Sequence, residues 1–176
     1  MQSFLEKVRS CKTLEDAEGL LFEIYGKRDS KIKEALDFAL QAHEGQFRKS
    51  GEPYVIHPIL VATLVAYVAN DQTMVVAALL HDVVEDTPYT IEDIKSRFGD
   101  DVAHLVEGLT KIVEIRSEEL IPSSSNEKLI TSALSFRKML IASIKDVRVL
   151  IVKLCDRLHN MLTLDALPPA KQKRIS

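Results

Sequence analysis

The sequence predicts an all-α single domain, on three observations. Nearly every segment repeats its apolar residues with a helical period. No stretch alternates well enough for a strand; the one ambiguous run, Val147 to Val152, continues into Lys153 to Leu164 and reads better as helix. At 176 residues, 46% hydrophobic and 28% charged, the chain has the length and balance to bury one substantial core.

In chain order, Leu14 to Tyr25 forms a short amphipathic helix closed near Gly26. Ile32, Ala35, Leu36, Ala39 and Leu40 give the next apolar stripe, which stops before the Gly- and Pro-containing loop Arg48 to Tyr54. His57-Pro58 opens another helix, with Pro58 suited to a first turn, and Ile59 to Ala69 continue it. After a break at Asn70 to Gln72, an apolar run from Met74 leads into His81-Asp82-Val83-Val84-Glu85-Asp86, expected as one helix. Thr90 and Asp93 form a capping box, and Gly99 ends that helix. Asp101 to Val113, Glu127 to Ile144 and Val147 to Leu164 complete the helices, with a loop at Ile121 to Asn126 and a further start at Pro168-Pro169. On the last long helix, Leu154, Leu158, Met161 and Leu162 are expected in the core.

The net charge of −3 gives no general case for nucleic-acid binding, and none is expected of this domain. Met1 to Arg9 lacks the cationic start and apolar core of a signal peptide, and no apolar stretch reaches membrane length. A cytoplasmic protein without membrane contact is the expectation. Cys11 and Cys155 are too few for a disulfide framework or a thiolate zinc site.

The chemistry concentrates at His81 to Asp86, where four ionisable groups interrupt an apolar run. Charge in such a setting is costly unless paired or bound to a metal. On a helix, Glu85 falls one turn beyond His81 and Asp86 one turn beyond Asp82. His57 and Asp156 are of the same kinds, and two imidazoles with two carboxylates suit Mn, Fe, Zn or a similar divalent ion. Each has a plainer explanation. A lone histidine at a helix start more often caps or lies on the surface, and Asp156 has Lys153 and Arg157 as ready partners. His104 reads as an ordinary exposed or half-buried helix residue, and His159 at best as a neighbour behind the ligands. Arg48, Lys49 and Ser50 on their loop offer a phosphate or a base two cations and a hydroxyl, against the plainer reading of a solubilising turn. Asn160 and Thr163 share a stripe with Asp156. No Walker A, G-x-G-x-x-G or G-x-S-x-G sequence is present.

Taken together, RKSGEPY (Arg48 to Tyr54), His57-Pro58, AALLHDVVEDT (Ala77 to Thr87), Gly108 to Lys111 and VKLCDRLHNMLTL (Val152 to Leu164) closely resemble the hydrolase domain of the RelA/SpoT homologue family of HD-domain phosphohydrolases. The resemblance runs from about Ala42 to the C-terminus. It implies an HD-domain helical bundle over residues 1–176, with 1–30 as an N-terminal helical extension. It implies metal ligands His57, His81, Asp82 and Asp156, usually holding Mn²⁺ with another divalent ion as alternative, and Glu85 and Asp86 as the acidic pair of hydrolysis. Arg48, Lys49, Ser50, Asn160 and Thr163 fall where the family binds its guanosine nucleotide. The implied reaction is release of the 3′-pyrophosphate from (p)ppGpp. The alternatives are another HD nucleotide phosphohydrolase and a non-catalytic (p)ppGpp-binding regulatory domain. Leu162 departs from the arginine of many members, Cys155 from an alanine or serine, and Glu114 to Leu134 matches least. Because the family continues past the position of Ser176, the chain is expected to be part of a longer protein, with synthetase or regulatory domains downstream.

Overall fold

The computed structural model describes residues 2–26, 29–118 and 146–163, with side chains at 3–26, 29–110 and 146–163. Helices α1 (Gln2–Ser10), α2 (Leu14–Tyr25), α3 (Ser30–Ala42), α4 (Ile56–Val68), α5 (Gln72–Leu80), α6 (Val83–Asp86), α7 (Ile91–Phe98), α8 (Asp100–Glu118) and α9 (Val147–Leu162) follow in order. Among the described residues, strand-like pairing is limited to one isolated bridge, Phe47 to Pro53. The fold is all-α. The expected helix Glu127 to Ile144, the loop at Ile121 to Asn126 and the start at Pro168-Pro169 lie outside the described residues.

Helix ends follow the local chemistry. Thr13, Asp29 and Asp71 accept backbone N–H bonds as N-caps of α2, α3 and α5. The Thr90–Asp93 capping box forms as expected, with the Asp93 carboxylate accepting from the Thr90 N–H at 2.8 Å. Gly26, at φ 73°, closes α2 in the left-handed conformation that glycine adopts without strain.

Helices α4 and α5 are the centre of the bundle. Every residue of α4 from Ile56 to Ala66 is buried, as is every residue of α5 from Met74 to Leu80, so both are covered all round. Helices α2 and α9 pack on α4, α3 and α8 on α5, and α7 on α8. Helix α1 joins through Phe4, whose ring stacks on Tyr67 at 4.1 Å. Helices α8 and α9 approach closely at Gly108, where an added Cβ would stand 3.0 Å from a Val149 methyl. No helix among the described residues is long and apolar enough to cross a membrane.

Two expectations are corrected. The helix carrying His81 to Asp86 is not continuous: α5 ends at Leu80, and Asp82, at φ −97° and ψ −7°, leads into a separate single-turn α6. Neighbours on a regular helix diverge by about 100°; the break lets the consecutive side chains of His81 and Asp82 meet at one point. The turn is kept beyond it, because the Asp86 N–H still bonds the Asp82 carbonyl at 2.9 Å.

The second correction concerns α9. Leu154, Leu158 and Met161 are exposed, at 49%, 37% and 57%, while Val149, Val152, Cys155, Asp156 and His159 face inward. The helix has apolar residues on two faces, so periodicity alone cannot choose between them. The inward face is the one whose Asp156 and His159 find polar partners in the core.

Candidate metal centre

His57 stands in the first turn of α4, His81 and Asp82 in the break between α5 and α6, and Asp156 in the middle of α9. The packing of these elements brings the four together. His57, His81 and Asp82 offer ligand atoms that all lie within 4.8 Å of one another. His81 Nε2 is 3.1 Å from Asp82 Oδ1, and His57 Nε2 is 3.7 Å from Asp82 Oδ2. Asp156 Oδ1 closes the group, 3.2 Å from His57 Nε2 and 3.9 Å from His81 Nε2. His57, His81 and Asp156 are buried and Asp82 is nearly so.

Burial disfavours charge on every one of these groups, and the partners then decide the outcome. Burial dominates at His57 and holds its imidazole below the ordinary value. At His81 burial is outweighed by Asp82 and then Asp156, which lift it to about 9. Asp82 overcomes its burial through His81 and His57 and stays well below the usual carboxylate range. Asp156 does so through His57 and Lys153, whose Nζ lies 2.9 Å from Oδ2. The plain ion pair with Lys153 is therefore present, but on the oxygen turned away from the histidines.

A divalent ion fits this donor set. The His81 Nδ1–H donates to the Ala78 carbonyl at 2.7 Å, which fixes Nε2 as the nitrogen facing the carboxylates. That Nε2 is buried and makes no hydrogen bond of acceptable geometry, although Asp82 Oδ1 is near. An unsatisfied ring nitrogen beside two ionised carboxylates and a second imidazole is a place for a cation with N/O preference.

The acidic pair lies at the rim. Glu85 is exposed, yet partial desolvation, then the Asp82 charge, raise its carboxyl to about 7. Asp86 is also exposed, and its Oδ2 lies 2.9 Å from the Tyr54 hydroxyl. The same hydroxyl lies 2.8 Å from Asp82 Oδ2, so Tyr54 bridges the two acids. Gln46 donates to the Asp86 carbonyl at 2.8 Å and is itself held by the buried His43, Nδ1 to Oε1 at 2.9 Å.

The loop between α3 and α4 is closed by Arg48 N–H to Glu52 O and Tyr54 N–H to Gln46 O, both 2.9 Å, with Gly51 at φ 93°. Arg48 reaches across to α9, donating from Nη2 to Asn160 Oδ1 at 2.9 Å. Asn160 in turn donates from Nδ2 to Asp156 Oδ1 at 2.7 Å. Lys49 and Ser50 are exposed on the same loop. Thr163 is the C-cap of α9, and its hydroxyl lies 3.2 Å from the helix carbonyls of both His159 and Asn160. Arg48 and Asn160 thus stand against the centre through Asp156, while Lys49 and Ser50 are exposed on the loop that carries Arg48.

Sequence reasoning misses Tyr54 and gives Lys153 and His159 less weight than their positions carry. Tyr54 was visible only as a letter of RKSGEPY. Lys153, expected as a partner of Asp156, is that partner, and it helps to keep the Asp156 carboxyl ionised. His159, expected at best as a neighbour behind the ligands, is buried with its Nδ1 2.8 Å from His57 Nδ1.

The HD domain family matches residues 35–176 of the chain. The chain is 50% identical over 145 residues to a protein of Synechocystis sp. named as a probable guanosine-3′,5′-bis(diphosphate) 3′-pyrophosphohydrolase, covering 82% of this chain and 18% of the relative. It is 44% identical to the bifunctional (p)ppGpp synthase/hydrolase SpoT of Escherichia coli, covering 83% of this chain and 20% of that protein. The chain thus spans about a fifth of the length of the curated relatives it matches. Among solved structures it is similar to a metazoan ortholog of SpoT that hydrolyses ppGpp and plays a role in starvation responses, with TM-score 0.62, 28% identity, and coverage of 84% of this chain and 80% of that one. With the histidine–aspartate pair lodged between helices and most of the sequence matched, the chain belongs to the HD domain family, among the RelA/SpoT homologues.

Proposed function

We propose that this chain hydrolyses (p)ppGpp, releasing pyrophosphate from the 3′ position and leaving GDP or GTP. The observation that carries the reading is the convergence of His57, His81, Asp82 and Asp156 beside the Arg48–Asn160 pair. The names of the bacterial relatives supply the substrate. The activity is proposed as cytoplasmic and as the hydrolase part of a longer bifunctional protein, since the Escherichia coli relative is named as both synthase and hydrolase.

In this reading His57, His81, Asp82 and Asp156 hold a divalent ion, Mn²⁺ first among the candidates. When bound, that ion supplies Lewis acidity, drawing charge from the attacked phosphoryl group and making water a stronger acid. Arg48, Lys49 and Ser50 bind phosphates or stack on the base, and Asn160 and Thr163 line the nucleotide's base or sugar. Glu85 and Asp86 hold the attacking water, and Glu85, with its carboxyl near 7, takes its proton at neutral pH. The water oxygen bonds to the phosphorus attached to the 3′ oxygen, the bond from phosphorus to that oxygen breaks, and the proton ends on the 3′ oxygen.

The deciding experiment incubates the purified chain with ppGpp and Mn²⁺, with and without EDTA, and follows pyrophosphate. Release that EDTA abolishes is the expected result. Tight binding of ppGpp without turnover would point to a nucleotide-sensing domain instead. Faster turnover of deoxynucleoside triphosphates or cyclic nucleotides would point to another HD phosphohydrolase.

A further inference from the structure

His57 and His159, from α4 and α9, meet Nδ1 to Nδ1 at 2.8 Å, with ring centroids 4.9 Å apart and planes tilted by 44°. Both rings are buried, at 3% and 2% exposure. Two nitrogens at that distance share one hydrogen: two would collide, and none would leave two lone pairs facing each other out of water. The question is which ring carries it.

The far side of His57 answers. Its Nε2 points at Asp156 Oδ1 and Asp82 Oδ2, toward the centre of the candidate metal site. A neutral imidazole carries a single proton, so a ring that donates its Nε2 lone pair to a metal carries that proton on Nδ1. The partner across the 2.8 Å contact must then present a bare nitrogen.

We infer that His159 is a positioning residue of the metal centre: its Nδ1 accepts the Nδ1 proton of His57 and so holds His57 with Nε2 free for the ion. The inference rests on the metal reading given above. One turn of α9 then supplies both a ligand, Asp156, and the orienter of a second ligand on α4. A leucine in this position would fill the space equally well but leave the His57 Nδ1–H buried without an acceptor, which is costly. Outer partners of ligating histidines have this use in metal sites generally.

The test measures Mn²⁺ affinity by calorimetry in the wild type, His159→Leu, His159→Asn and Asp82→Ala. His159→Leu is expected to bind about 10–100-fold more weakly. His159→Asn, whose Oδ1 stands near the lost Nδ1, is expected to recover most of that loss. Wild-type affinity in Asp82→Ala would sink the metal reading itself. Loss of binding in Asp82→Ala together with unchanged binding in His159→Leu would overturn only the role of His159, as would a folded His159→Asn no better than His159→Leu. Nitrogen NMR of the wild type loaded with diamagnetic Zn²⁺ decides without any variant. A proton on His57 Nδ1, with coupling across the bond to His159 Nδ1, is expected; a proton residing on His159 Nδ1 would overturn the inference.

Discussion

Arg48 and Asn160 stand 112 residues apart in the chain and are joined by a 2.9 Å hydrogen bond from Nη2 to Oδ1. Asn160 also donates to Asp156 Oδ1 at 2.7 Å, so the substrate loop is tied through one amide to a candidate metal ligand. Substitution of either partner therefore disturbs both binding and the centre. Asn160→Ala is expected to raise KM for ppGpp about tenfold, a loss near 1.4 kcal/mol. In a cycle with Arg48→Ala the two losses are expected to be non-additive, with a coupling of about 0.5–3 kcal/mol in kcat/KM. Simple additivity would show that the bond does not organise the site. Arg48→Lys should behave like Arg48→Ala, since an ammonium cannot reproduce the planar fork.

Glu85 separates proton handling from metal binding. It stands at the exposed rim, outside the proposed ligand set of His57, His81, Asp82 and Asp156, so Glu85→Gln should keep Mn²⁺ affinity and lose about 10²–10⁴-fold in kcat. Its elevated carboxyl also has a stability consequence. A carboxylic acid raised from 4.5 to about 7 binds its proton more tightly when folded, so the metal-free protein loses stability as pH climbs from about 4.5 through about 7. Glu85→Gln removes that loss. The Tm of the variant relative to wild type, both in EDTA, should rise from pH 5 to pH 8; a constant difference would deny the raised carboxyl.

The bundle was legible because periodicity and capping residues act locally: Asp71, Thr90 and Gly99 mark helix ends through contacts within a few residues. His81 and Asp82 were legible as candidates because ionisable residues in an apolar run are costly enough to demand a partner, whereas His57 and Asp156 stood out only through the family resemblance. The break at His81-Asp82 was not legible, since Leu80 to Val83 contains no Gly or Pro, and the contacts it accompanies are with His57 on α4 and Asp156 on α9. The inward face of α9 was hidden for a similar reason. Leu154 and Leu158 look more core-like than Asp156 and His159 until His57 is known to lie across from them. Tyr54 bonds Asp82 and Asp86, 28 and 32 positions away, and His159 meets His57 102 positions away, pairings that no local pattern encodes.

His81 links the centre to pH. Against its own burial, Asp82 and Asp156 raise its imidazole from 6.5 to about 9, and the proton it keeps occupies the face a metal would take. The raised value contributes stability that is full below about 6.5 and is lost as pH rises through about 9. Its scale is on the order of 3 kcal/mol, and the depression of Asp82 is the same interaction seen from the other side. A metal must displace this proton. Mn²⁺ affinity should accordingly rise about tenfold per pH unit between 7 and 8.5, with about one proton released per ion, read by calorimetry in buffers of different ionisation enthalpy. An affinity flat over that range would rule out a protonated His81 in the metal-free protein.

Tyr54 places one hydroxyl between two carboxylates, 2.8 Å from Asp82 Oδ2 and 2.9 Å from Asp86 Oδ2. Burial first, and then both acids, push its phenol far above the ordinary value, so it stays a donor at any pH the protein meets. Its role is to fix the angle between a candidate ligand and a candidate catalytic acid, since it carries no charge to offset theirs. Tyr54→Phe keeps the ring against His43 and His57 but removes that donor. The expected outcome is a fall in kcat of about 10–100-fold, as for other outer partners of metal ligands, with KM for ppGpp nearly unchanged because Arg48 and Asn160 are untouched. Stability should fall by about 1.5 kcal/mol, the lower end for a hydrogen bond to a charged group, because the hydroxyl is only partly buried. Steady-state kinetics with a urea melt separate the two effects. A KM rise with constant kcat would instead assign Tyr54 to the nucleotide.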